Sequence, residues 1–154
     1  MLLKQASSAY QQALRWLARR EYGAAEITHR LIAKGFSEAE IAQALESLKD
    51  EGLQSDQRFV ESFIHSRYER GQGPVKILHE LRKRGISTAV TEQLLSETGF
   101  DWAACAKSAR RKRYGKAVPT GFRERARQMR YLQARGFTHD LIDQAFAQDD
   151  IESD

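Results

Sequence analysis

The chain has 154 residues but only one cysteine, two prolines and four valines. A single thiol, Cys105, excludes an internal disulfide and any cysteine-built metal cage. So little valine and proline argues against an all-β fold. No apolar run approaches the ~20 residues that cross a bilayer. The opening MLLKQASSAYQQAL lacks an apolar signal core and turns amphipathic at once, so a soluble cytoplasmic protein is expected. Catalytic signatures are missing too. Gly115-Lys116 is followed by Ala117, so no phosphate-binding P-loop forms, and neither G-x-S-x-G nor H-E-x-x-H occurs. The histidines His29, His65, His79 and His139 are scattered over separate segments. No cofactor, no metal and no enzymatic activity are expected.

Acid is scarce in one stretch. Residues 101–135 carry 11 basic and 2 acidic side chains, a net of +9 inside a chain whose total is +4. Residues 1–65 carry −1, residues 66–100 carry +2 and residues 136–154 carry −6. A block of this density attracts polyanions. Two roles stand open for the acidic end with Asp149, Asp150 and Glu152: folding back on the basic block, or meeting a basic partner.

What is present is helical periodicity punctuated by glycine. Apolar stripes run through Ala9, Ala13, Leu14 and Leu17; Ile27, Leu31 and Ile32; Ile41, Ala44, Leu45 and Leu48. They continue through Phe59, Val60, Phe63 and Ile64; Ile77, Leu78 and Leu81; Val90, Leu94 and Leu95; Leu141, Ile142, Ala145 and Phe146. Ser8, Ser37 (in a box with Glu40), Asp56, Ser87, Asp101 and Thr138 are the expected helix starts.

The same turn recurs three times, as KGFS at 34–37, RGIS at 84–87 and RGFT at 135–138. Its glycines are 50 and 51 residues apart, and Leu31, Leu81 and Leu132 stand four positions before them. Such agreement implies three tandem copies of a three-helix unit, bounded at 1–52, 53–100 and 101–154. A unit of ~50 residues has a small core and gains by stacking, so the expected fold is an all-α, elongated, curved array. Gly35, Gly85 and Gly136 are expected to end helices in left-handed turns.

The basic side chains are the candidate contact residues. One cluster is Arg67, Arg70, Lys76, Arg82, Lys83 and Arg84. The other is Lys107, Arg110, Arg111, Arg113 and Lys116, with Arg123, Arg125, Arg127 and Arg130. A solvated cationic surface competes with a phosphate or acidic-protein contact, and the scarcity of acids favours contact. Tyr68 and Tyr114 are read as packing aromatics ahead of base-stacking platforms, and Cys105 as a small packing residue.

The stretch from Arg67 to Gly85, RYERGQGPVKILHELRKRG, resembles the signature segment of the RecX family of bacterial recombinase regulators. Leu14, Leu17, Arg19-Arg20-Glu21-Tyr22, Glu26-Ile27, Leu31 and Lys34-Gly35 are similar to the family's first unit, and Leu48, Leu53, Asp56 and Phe59 to its first junction. The resemblance implies a non-catalytic protein that binds the RecA–DNA filament. It would limit filament extension or promote disassembly, and so lower ATP hydrolysis, strand exchange and co-protease activity. The implied partners are the RecA nucleoprotein filament and, more weakly, single- or double-stranded DNA through its phosphates. A monomer with no membrane contact is expected. A direct DNA-binding module, or a passive helical adaptor, is the alternative.

Overall fold

A computed structural model describes residues 7–147, and among these the chain forms nine α-helices and no strand. They are α1 (Ala9–Leu17), α2 (Ala24–Ala33), α3 (Glu38–Asp50), α4 (Asp56–Glu69), α5 (Pro74–Lys83), α6 (Thr88–Glu97), α7 (Trp102–Tyr114), α8 (Phe122–Ala134) and α9 (His139–Ala145). Among the described residues, no helix is long and apolar enough to cross a membrane. The acids Asp149, Asp150 and Glu152 lie outside the described residues.

The starts are capped as the sequence suggests. Ser37 accepts from the Glu40 amide at 3.2 Å while the Glu40 side chain accepts from the Ser37 amide at 3.1 Å. Asp101 accepts from the Ala104 amide at 3.0 Å and Thr138 from that of Leu141 at 3.4 Å. Three stripe residues prove less buried than their spacing implies: Leu14, Ile32 and Val90 are exposed. In α1 the inward face is instead made by Ala9 and Ala13, with Trp16 and Leu17 packed beside them.

The helices gather into two compact units. One runs through Ser62 and includes Leu81–Thr91; the other holds Phe63–Glu80 and the residues from Glu92 onward. The division therefore passes through α4, α5 and α6. Ile27, Leu31, Ile41 and Leu48 form the centre of the first core. Cys105, Ala106, Ala109, Leu132, Phe137, Ile142 and Phe146 form that of the second.

Within each unit a turn glycine meets the start of an earlier helix. In the first, a Cβ on Gly85 (φ +84°) would lie 2.7 Å from the Ala25 Cβ, near the start of α2. Beside it, Arg84 Nη1 donates to Glu26 Oε2 at 2.9 Å. In the second, the Gly73 amide donates to the Arg135 carbonyl at 2.8 Å and the Val75 amide to the Gly136 carbonyl at 3.0 Å. These are N-terminal donors that α5 itself cannot satisfy. A Cβ on Gly73 would stand 2.7 Å from the Phe137 nitrogen, and one on Gly136 (φ +96°) would stand 2.6 Å from the Lys76 nitrogen. Glycine is required there for close backbone approach as well as for the turn.

Candidate functional site

Helix α7 places its small residues inward. Cys105, Ala106 and Ala109 are buried, and one long side chain, Arg110, turns inward with them at 0% exposure. Its Nε donates to the Ala145 carbonyl at 2.9 Å. Its Nη1 donates to the Ala117 carbonyl at 3.3 Å and to Gln128 Oε1 at 3.4 Å, and its Nη2 to the Lys116 carbonyl at 3.5 Å. Burial lowers the guanidinium pKa, and the nearby Arg111 lowers it further. Arg110 is therefore a structural cation tying α7 to the end of α9 and to the loop before α8. This corrects its reading as a surface contact.

Several other candidates are engaged within the protein. Arg67 pairs with Glu80 at 3.3 Å and its guanidinium lies 4.5 Å from the Phe63 ring centroid. Arg84 pairs with Glu26. Arg125 lies 4.5 Å from the Phe146 ring centroid, and Arg127 pairs with Glu124 at 3.6 Å. Lys76 is half-buried, with its backbone against Gly136. Arg70, Arg82, Lys83, Arg113, Lys116, Arg123 and Arg130 are exposed, and Lys107 and Arg111 half-buried. Arg82, Lys83 and Arg84 belong to the first unit; every other candidate belongs to the second.

In the second unit the cations surround two depressions. A cavity of about 400 Å³ is lined by Tyr68, Glu69, Arg70, Ser108, Lys112, Tyr131 and Arg135, with Ala104, Cys105, Gly71 and Ala109 completing its wall. A shallower depression of about 480 Å³ is lined by Lys107, Arg111, Lys112 and Lys116 with small residues of α7. Lys112 borders both, and neither it nor Arg135 is among the candidates that charge clustering in the sequence selects. The available signal is spacing: Ala104, Ser108 and Lys112 recur every four residues along one face of α7. Arg135 is anchored, donating through Nε to the Gly71 carbonyl at 3.2 Å and through Nη2 to that of Arg70.

The aromatic groups at this site are mostly committed to packing. Tyr68 stacks on Phe100 with centroids 4.1 Å apart and meets Trp102 edge-on at 5.2 Å. Tyr114 meets Tyr131 edge-on at 5.5 Å. Burial pushes the Cys105 thiol up to about 11, so it stays neutral at pH 7. Among the described residues, no group of three or more His, Cys, Asp or Glu is placed to hold a metal ion. What the arrangement offers chemically is a concave cationic surface with hydroxyl donors, suited to phosphate oxygens or carboxylates.

Comparison with known proteins adds a lineage to this geometry. Three family models match in order: the first, second and third three-helix domains of RecX, over residues 9–48, 55–95 and 101–146. The regulatory protein RecX of Halorhodospira halophila is 43% identical over 142 residues, covering 92% of this chain and 88% of its own. That of Chromohalobacter salexigens is 43% identical over 135 residues, covering 88% of each. The crystal structure of RecX from Lactobacillus salivarius shares the fold with a TM-score of 0.73 at 23% identity, over 89% of this chain and 91% of that one. With its nine described helices matched as three consecutive three-helix domains, the chain belongs to the RecX family of regulatory proteins.

Proposed function

We propose that this protein binds the RecA–DNA filament and inhibits RecA by limiting filament extension or promoting disassembly, without catalysis of its own. The observation that carries the reading is the ordered match of all three RecX domains along residues 9–146. The cationic depressions formed by α7, α8 and the end of α4 supply a surface for phosphate or acidic protein. The exposed members of the two clusters, joined by Lys112, are the proposed contacts. Arg110 is excluded by its burial. A cytoplasmic setting follows from the same reading, since the recombinase filament forms there.

The test is recombinase ATP hydrolysis on single-stranded DNA with increasing amounts of this protein. Suppression is expected, with no nucleotide hydrolysis by the protein alone. Unchanged recombinase turnover at saturating protein would overturn the reading. The exposed cations of α7 also support a second reading, direct DNA binding. Affinities for naked duplex, naked single strand and recombinase-coated strand at two salt concentrations separate the two. A filament regulator prefers the coated strand, whereas a DNA module binds all three by phosphate count.

A further inference from the structure

Three of the described helices follow a glycine directly: α2 after Gly23, α5 after Gly73 and α8 after Gly121. Three turns carry the basic–glycine–apolar–hydroxyl pattern, at Gly35, Gly85 and Gly136. Two of each are matched: Gly85 meets the start of α2, and Gly136 the start of α5. One of each is left over. Among the described residues, a Cβ at Gly35 or at Gly121 would have nothing within 4 Å. Phe122, the first residue of α8, is 86% exposed, more than any other large hydrophobic side chain described.

The two unmatched elements carry the groups that join the matched pair in the first unit. There, Glu26, third residue of α2, takes Arg84, the residue before the turn glycine, at 2.9 Å. Glu124, the third residue of α8, already pairs with Arg127 of its own helix at 3.6 Å, as Glu26 pairs with Arg20 at 3.2 Å while also taking Arg84. Lys34 precedes Gly35. Gly121, like Gly23, is an extended N-cap that supplies no side-chain cap. α8 has 13 residues against 10 in α2, so a turn docked at its start meets an added helical turn. A long side chain does not block such docking, since Gly136 already seats against the backbone and Cβ of Lys76.

We infer that the start of α8 receives the Lys34–Ser37 turn of a second copy of this chain. Lys34 of one copy pairs with Glu124 of the other, and the turn covers Phe122. The two patches differ, so the contact is heterologous and repeats from copy to copy until it closes or runs on. A contact of one turn is far smaller than the ~1,000 Å² of a stable interface, so it operates where copies are concentrated. The inference does not depend on the proposed partner, because it is read from the protein alone.

The experiment is sedimentation velocity on the full chain at low salt, from about 10 μM to about 500 μM. The weight-average mass is expected to climb above the 17.6 kDa of one chain. Lys34→Glu and Glu124→Lys should each abolish the climb, and the chain carrying both reversals should restore it. Phe122→Ser should weaken association at least threefold with an unchanged melting temperature. A mass that stays monomeric throughout would overturn the inference. So would a climb that both single reversals leave intact, or a folded double reversal that fails to regain it.

Discussion

The two compact units seat a turn glycine against a helix start by different chemistry. In the first, small Ala25 and an ion pair, Arg84 with Glu26, form the contact. In the second, two backbone hydrogen bonds run from Gly73 and Val75 to the Arg135 and Gly136 carbonyls, and the arginine bonds other carbonyls instead. Glycine is common to both, whereas the charge pair is not. The recurring turn is thus a surface shaped for another helix start, and polar detail varies around a fixed requirement for a missing Cβ. Gly35 has the same positive φ, but a Cβ there would meet nothing within 4 Å among the described residues, so it isolates the cost of conformation from the cost of contact.

The largest expected effects come from filling the close contacts. Gly136→Ala adds a clash with Lys76 to a left-handed φ and should destabilise by about 3 kcal/mol or more. Gly73→Ala lacks the φ penalty but drives a methyl into the Gly136 carbonyl, and should cost about as much. Gly85→Ala meets only the Ala25 methyl and should cost about 2 kcal/mol. Gly35→Ala carries the φ cost alone, about 1 kcal/mol. Denaturant titration of the four variants checks this order. Equal losses at Gly35 and Gly136 would mean that the turn, not the docking, sets the requirement.

Arg110→Met should cost about 2–4 kcal/mol, because it leaves the buried Ala145 carbonyl and the buried Gln128 Oε1 without their donor. Thermal melting of that variant beside Arg113→Met, an exposed neighbour expected to change by under about 0.5 kcal/mol, makes the comparison internal. Similar losses from the two would refute the buried role.

Helix positions, the tandem repeat and the turn glycines are legible in sequence because each is a local pattern. Capping, periodicity and glycine placement act over a few residues. The pairing of Arg84 with Glu26 and the bonds from Arg135 to Gly71 join residues about 60 positions apart, beyond any local signal. The inward turn of Arg110 is hidden for a related reason. A run of cations around a helix does not say which one faces inward. The hint lies in the small residues Cys105, Ala106 and Ala109, which leave volume for a long stem at the position four after Ala106. Lys112 escapes a reading by charge density, because density says nothing of the face of α7 that each cation shares.

The ion pair of the first unit should be titratable, and the backbone bonds of the second should not. Burial pushes the Glu26 pKa up, but hydrogen bonds from Arg20 and the Gly23 amide, with the charges of Arg20 and Arg84, outweigh it, and the net shift is below the ordinary 4.5. A folded pKa below the unfolded one adds stability that is full above the unfolded value. It is lost as pH falls through the folded value. Glu26→Gln should therefore cost about 1 kcal/mol at pH 7, and the difference from wild type should shrink steadily below pH 4.5. A gap that persists unchanged down to about pH 2 would assign the loss to packing and not to charge.

The smallest effects on the fold, and the most informative about binding, should come from exposed cations compared between the units. Arg70→Gln with Lys112→Gln removes two charges beside the second unit's cavity; Arg82→Gln with Lys83→Gln removes two from the last turn of α5 in the first. Neither pair is expected to shift stability by more than about 0.5 kcal/mol, since these side chains are solvated. If the cavity holds phosphates, the first pair should weaken binding to recombinase-coated strand more than the second. It should also make the salt dependence shallower, by about 0.7 for each phosphate of a single strand that is no longer neutralised. The same cavity could instead hold carboxylates of the recombinase. Affinity would then fall with little change in the number of counterions released, because protein carboxylates carry no condensed ion atmosphere. Equal losses from both pairs, with equal changes of slope, would mean that binding responds to net charge and that the cavity has no special part in it.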